Sequence, residues 1–132
     1  MKAFVLFACV LFFSSCDNSY TEKELYGSYV PINYKNTTDT ILLEPKGMYH
    51  RKVYDKNKNL VLEMEGKWNL VAQKTKIKLN HFYLNLDDNL LRFPESARDT
   101  SMEVITNLET RSGVIKFCVG YHENENCYKK IK

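Results

Sequence analysis

Leu60-Val61-Leu62-Glu63-Met64-Glu65-Gly66-Lys67-Trp68-Asn69-Leu70-Val71-Ala72, followed shortly by Lys76-Ile77-Lys78-Leu79, is the stretch whose reading decides the fold. Leu60, Leu62 and Met64 share one parity and Glu63 and Glu65 the other. Trp68, Leu70 and Ala72 then alternate with Lys67 and Asn69, and Ile77 and Leu79 alternate with Lys76 and Lys78. Side chains on a strand point to opposite faces in turn, so this alternation marks strands with one buried face. Leu62, Met64, Trp68, Leu70, Ile77 and Leu79 are therefore expected on one inward side, as core or as the wall of a ligand cavity. Gly66 is either a bend in one long strand or a break between two.

The same period extends outward. Strands are predicted at 27–32, 40–44, 47–55, 59–65, 67–72, 76–86, 89–93, 102–109, 113–120 and 127–131, the last part carrying Ile115, Phe117, Val119 and Tyr121 in alternation. Pro45-Lys46-Gly47, Lys56-Asn57-Lys58-Asn59, Asp87-Asp88-Asn89 and Arg111-Ser112-Gly113 supply turns between them. Helix is minimal: one turn at Thr21 to Leu25, where Thr21 caps and Glu24 stands three residues on, and another near Pro94 to Arg98. Eight to ten short antiparallel strands fit an up-and-down barrel or a sandwich.

Two local patterns favour the barrel. Leu25-Tyr26-Gly27-Ser28-Tyr29 resembles the opening L-x-G-x-W of lipocalin-like domains, with Tyr29 in the Trp position. Asp39-Thr40-Ile41-Leu42-Leu43-Glu44-Pro45-Lys46-Gly47-Met48-Tyr49, with Gly66-Lys67-Trp68-Asn69-Leu70, resembles the central hairpins of lipocalin-like bacterial lipoproteins. The resemblance implies an all-β, calycin-type barrel with one open mouth over residues 25–132. No arginine follows Arg111, where the family has a closing Arg near its last strand.

The N-terminus reads differently. Lys2 precedes the apolar run Phe4-Val5-Leu6-Phe7-Ala8-Cys9-Val10-Leu11-Phe12-Phe13, about half of the roughly 20 residues that a spanning helix needs. That length suits a secretory signal peptide. Ser14-Ser15-Cys16 resembles the lipobox of bacterial lipoproteins, with Phe13 where Leu or Val is usual. The resemblance implies cleavage of residues 1–15, lipidation of Cys16 with palmitate-type chains, and a polar tether over 16–24. Each buried methylene contributes about 0.8 kcal/mol, so two or three acyl chains hold permanently where one holds marginally. The expected location is the cell envelope, anchored by the lipid at the outer membrane (periplasmic or surface face) in preference to the inner.

Composition excludes several classes. Lys and Arg number 19 against 16 Asp and Glu, mixed along the chain, which is a solvated surface and not the basic stripe of a nucleic-acid binder. Of the four cysteines, Cys9 leaves with the signal peptide and Cys16 takes the lipid. Cys118 and Cys127 remain, around a polar tip in an exported chain, and are expected to form a structural disulfide worth roughly 2–3 kcal/mol. No Cys-x-x-Cys redox motif is present.

No constellation of nucleophile, base and orienting group can be assembled, so no catalytic residue, metal or cofactor is expected. His50, His81 and His122 stand at no ligand spacing. Glu63 and Glu65 would lie about 7 Å apart, but on the water-facing side. Asp87-Asp88-Asn89 lacks the alternating spacing of a calcium loop, and Asp39-Thr40-Ile41 resembles a short envelope O-glycosylation signal that a strand entry explains equally well. Tyr29, Tyr34, Tyr49, Tyr54, Trp68, Phe82, Tyr83 and Phe93 would line a cavity or fill a core, with Trp68 on the core side. The expected role is a non-enzymatic, monomeric, membrane-anchored binding module, taking a small apolar ligand in the barrel or an envelope protein on its rim. In the second case loops 33–39, 94–101 and 120–126 would carry the contact. The alternative is an immunity or inhibitor lipoprotein acting against an envelope-directed toxin. An interior filled by its own aromatics would favour protein recognition.

Overall fold

A computed structural model describes residues 18–95, 102–120, 122 and 124–132. Eight antiparallel strands close into a barrel in sequence order: β1 (Gly27–Pro31), β2 (Thr37–Glu44), β3 (Met48–Asp55), β4 (Leu60–Val71), β5 (Lys76–Leu79), β6 (Val104–Arg111), β7 (Val114–Cys118) and β8 (Cys127–Lys130). β1 pairs with β8 through Tyr29↔Lys130 and Pro31↔Tyr128, which leaves no free sheet edge. This is the small lipocalin-like barrel that the local motif resemblances imply, and not the sandwich that the alternation also allowed. The only α-helices among the described residues are α1 (Glu22–Leu25) and α2 (Asn89–Arg92), with a 3-10 turn at Pro45–Gly47, and none is long and apolar enough to cross a membrane.

β4 is one strand, so of the two readings of Gly66 the continuous strand holds and the stretches 59–65 and 67–72 join. Its parity runs straight through Gly66, with Leu62↔Val53, Met64↔Arg51 and Gly66↔Tyr49 in register across β3. Gly66 is there for space: a Cβ would lie 2.6 Å from the Tyr49 ring. Tyr49 thereby lies flat over the strand, and its hydroxyl donates to the carbonyls of Asn80 and His81.

One end of the barrel, formed by the turns at 45–47, 72–75 and 112–113, is closed by α1. Thr21 and Glu24 form the expected capping box, Leu25 is fully buried, and the Tyr29 hydroxyl donates to the Leu25 carbonyl at 2.9 Å. Gly27 has φ +133°, and a Cβ there would meet the Lys132 carbonyl at 1.8 Å, so the chain's two ends can close against each other only at glycine. Tyr20 fixes the entering chain at this end, its N–H on the Lys74 carbonyl and its hydroxyl 2.9 Å from Thr110 Oγ1. We call it the tether end.

Two predictions are corrected at the opposite end, the rim. The predicted strand 76–86 ends at Leu79. His81 takes φ +54°, and Phe82, Tyr83, Leu84 and Asn85 are then buried in succession, which no strand with one wet face allows. The segment enters the barrel mouth. The predicted strand 89–93 is α2, because Asn89 turns its side chain back to the Leu86 N–H and the Leu84 carbonyl while Leu90 packs with Val53 and Tyr83. The helical turn expected near Pro94 to Arg98 lies largely outside the described residues, as does Tyr121.

Gly66→Ala should destabilise the protein by about 1–3 kcal/mol, because the Tyr49 ring is held from both sides and must shift. Urea unfolding monitored by Trp68 fluorescence checks it.

Candidate functional site

At the rim end of the interior, parity places charge where apolar side chains are the rule. Asp39 shares its parity on β2 with Ile41 and Leu43, and Arg51 shares its parity on β3 with Tyr49 and Val53. Asp39 is 0% exposed and Arg51 1%. They meet as a bidentate pair, Arg51 Nε donating to Asp39 Oδ1 at 3.0 Å and Nη2 to Oδ2 at 2.7 Å.

The surroundings complete the pair. Arg51 Nη1 donates to the Tyr83 carbonyl, and the guanidinium carbon lies 4.2 Å from the Phe82 ring centre. The Tyr128 hydroxyl donates to Asp39 Oδ2 at 2.7 Å, and Asn85 Nδ2 donates to the same oxygen at 3.0 Å and to Thr37 Oγ1 at 3.2 Å. Tyr34 closes the cluster from outside, its hydroxyl donating to the Asn85 carbonyl and, at 3.3 Å, to Asn126 Oδ1. Among the described residues Asn85 Oδ1 is the one buried side-chain acceptor without a partner, so Asn85 serves here through its donors.

Burial opposes the charge of Arg51, but Asp39 beside it, with smaller contributions from Tyr128 and Tyr49, holds the guanidinium above its ordinary value. Burial also pushes the Tyr128 hydroxyl well up and that of Tyr49 up to about 12, so both stay protonated donors. The nitrogens of Arg51 and both oxygens of Asp39 are spent on these partners. The arrangement locks the mouth and presents no open acid–base pair to a substrate.

The six side chains predicted to face inward share the interior. Trp68, Ile77 and Leu79 are buried, and Leu62, Met64 and Leu70 are partly buried and packed against the same clusters. Trp68 Nε1–H donates to the carbonyls of Glu44 and Met48, which ties the indole to the wall. Glu63 and Glu65 stand outside, beside Lys52 and His50 respectively, as water-facing pairs of little energetic weight. His50, His81 and His122 are exposed and dispersed, and among the described residues no three His, Cys, Asp or Glu gather as metal ligands. Cys16 lies outside the described residues. Cys118 and Cys127 form the disulfide, directly opposite each other in β7 and β8 with their Cα atoms 3.9 Å apart.

Asp87, expected only to mark a turn, organises the rim. Its carboxylate accepts from the N–H groups of Lys35, Asn36 and Thr37 at 3.0, 2.8 and 3.0 Å, and from the Asn36 side chain. Partial burial pushes its pKa up, but the backbone donors outweigh that and hold it below the ordinary value. Sequence reasoning missed Arg51, Asp39 and Asp87 as structural centres. Opposite charges at inward parity on adjacent strands were the available signal for the first two; for Asp87, whose partners are some fifty residues away, there was none.

Compared with known proteins, the chain matches no family model and no curated protein sequence.

Replacing Arg51 by Met or Asp39 by Asn alone should cost about 3–5 kcal/mol, since each strands a buried group, whereas Arg51→Met with Asp39→Leu should cost less than the two singles added. A double-mutant cycle in urea measures the coupling. Asp87 gives a pH signature. Its lowered folded pKa contributes stability fully present above about pH 4, lost as pH falls through the folded value. The Asp87→Asn variant should lose that acid-side slope in urea midpoints measured against pH.

Proposed function

We propose that the chain is a lipid-anchored lipoprotein of the cell envelope whose filled β-barrel recognises another protein through its rim. The observation that carries this is the occupied interior. Tyr29, Tyr49, Phe82, Phe117 and Tyr128 are each no more than 1% exposed, and the 82–85 segment and the Arg51–Asp39 pair take the mouth. A carrier of small apolar molecules needs a concave apolar space of several hundred Å³, and here that space holds the protein's own side chains. Recognition then belongs to the outside.

The two ends of the barrel differ in a way that supports the rim. Lipidated Cys16 would attach close to Tyr20, at the tether end. The described parts of the connections 32–36, 56–59, 80–103 and 119–126 gather at the other end and would face away from the membrane. Ile32, Leu60, Leu91, Phe93 and Met102 are exposed apolar residues on or beside those connections. Exposed apolar side chains among polar ones suit a protein contact. The disulfide that staples β7 to β8 favours, within this reading, an immunity or inhibitor lipoprotein, because a cross-linked hairpin loses less entropy when it docks.

A photocrosslinking amino acid introduced at Ile32, Leu60 or Phe93 in producing cells should trap one defined protein. The same group at Lys46 or Ser112, at the tether end, should not. Cys16→Ala should release the protein from membranes and abolish the lipid detected by mass spectrometry. Trapping only from the tether end, or a rise in melting temperature with fatty acids or isoprenoids, would overturn the rim assignment.

A further inference from the structure

The rim holds a cleft in which three lysines outnumber the two carboxylates beside them, both of which are hydrogen-bonded to turn backbone. β2 and β3 meet at Thr37↔Asp55, which sets segment 32–36 beside turn 56–59. Between them Tyr34, Lys35, Thr38, Asp55, Lys56 and Lys58 line a cleft of about 280 Å³. Lys35, Lys56 and Lys58 are exposed, and no ion pair among the described residues includes them.

Two carboxylates are near enough to answer these lysines, and both are engaged elsewhere. Asp55 accepts from the N–H groups of Asn57 and Asn59 at 2.8 and 2.9 Å and from the Asn59 side chain at 3.0 Å. Asp87 accepts from the amides of Lys35, Asn36 and Thr37. The acids therefore close the two segments that carry the lysines without forming an ion pair with them, and the three ammonium groups outnumber the two carboxylates. Like charges gathered on closed turns raise the local potential and favour an incoming anion. Ile32 and Leu60, 42% and 50% exposed, flank the cleft on either side, Ile32 at the end of segment 32–36 that adjoins β8 and Leu60 at the start of β4.

We propose that this cleft recognises an acidic segment of a partner protein, with Lys35, Lys56 and Lys58 facing its carboxylates and Ile32 and Leu60 offering apolar contact at its two sides. This rests on rim recognition and adds the chemistry of the partner. The exposed apolar pair favours a protein over a free phosphate. Distance disfavours the anchoring membrane: a strand such as β2 rises about 3.3 Å per residue, so the cleft stands about 20 Å along a tilted barrel from the tether end. Electrostatic reach in physiological salt is about 8 Å.

The test uses the lipidated protein in neutral detergent micelles and a fluorescein-labelled short peptide of Glu, Gly and Leu. Comparators are the same peptide with Gln or Lys for Glu, inorganic phosphate, and phosphatidylglycerol vesicles. The Glu peptide should bind with an affinity that falls as salt rises, and the Gln and Lys peptides should not. K35S/K56S/K58S should weaken binding by about tenfold or more while melting normally, K35R/K56R/K58R should retain it, and K67S and K129S should leave it unchanged. Equal loss in K67S or K129S overturns the proposal. So does equal binding of the Gln peptide, or binding of phosphate or vesicles in place of the Glu peptide. If the Glu peptide fails while crosslinking at Ile32 and Leu60 still traps one protein, the acidic chemistry falls and rim recognition stands. If the Glu peptide binds and crosslinking traps nothing, it is rim recognition that falls.

Discussion

A guanidinium sealed from water is the constraint on which the rest of the structure depends. An unpaired buried charge costs several kcal/mol, so Arg51 can face the interior only if every neighbour is in place. Those neighbours come from separate parts of the chain: Asp39 from β2, Tyr128 from β8, and the Tyr83 carbonyl and Phe82 ring from the mouth segment. A one-residue slip of β3 against β2 would turn Arg51 out and Lys52 in, and leave Asp39 buried without its cation. Apolar packing alone would tolerate more ways of closing the barrel. The ion pair specifies one register, and it draws residues 82–85 into the mouth to complete it.

That solution has a consequence for what the molecule can do. A barrel wall with an open mouth is a container, and filling the mouth converts it into a rigid block. The segment after β5 gives up its strand to enter the interior, and the chain emerging from it supplies Asp87, which captures the amides of 35–37. The inner plug and the outer loop are thus one construction. Tyr34 joins them again, with its hydroxyl on the Asn85 carbonyl and its ring 6.1 Å from that of Tyr128.

Much of this barrel was legible in the sequence because the wall obeys the two-residue period. The alternation around Leu62, Met64, Trp68 and Leu70 located β4, and the polar tip between Cys118 and Cys127 located the last hairpin. The mouth was not legible, because it breaks the period for long-range reasons. Phe82-Tyr83-Leu84 reads as more strand until it is known that the segment is surrounded, and Leu90-Leu91 suits a strand or a helical turn equally. Asp39 looked like a strand entry at the end of loop 33–39, and Arg51 like an ordinary polar strand position. Only their parity distinguished them, and parity carries meaning once the partner strand and its register are known.

The acids of the rim follow a rule that the interior makes necessary. A rim that stays closed before binding loses less entropy on binding, so closure has to come from within the protein. Backbone amides in turns are donors that need acceptors, and Asp55 and Asp87 satisfy them from the side chain. A neutral acceptor such as Asn would meet the same donors more weakly, since ionised acceptors make the stronger hydrogen bonds. Using carboxylates in this way gives firm turns, and it leaves Lys35, Lys56 and Lys58 outside any ion pair among the described residues. The closure of these turns therefore comes from the rim's aspartates bound to its backbone, and the positive sign of the cleft between them from the lysines that outnumber those aspartates.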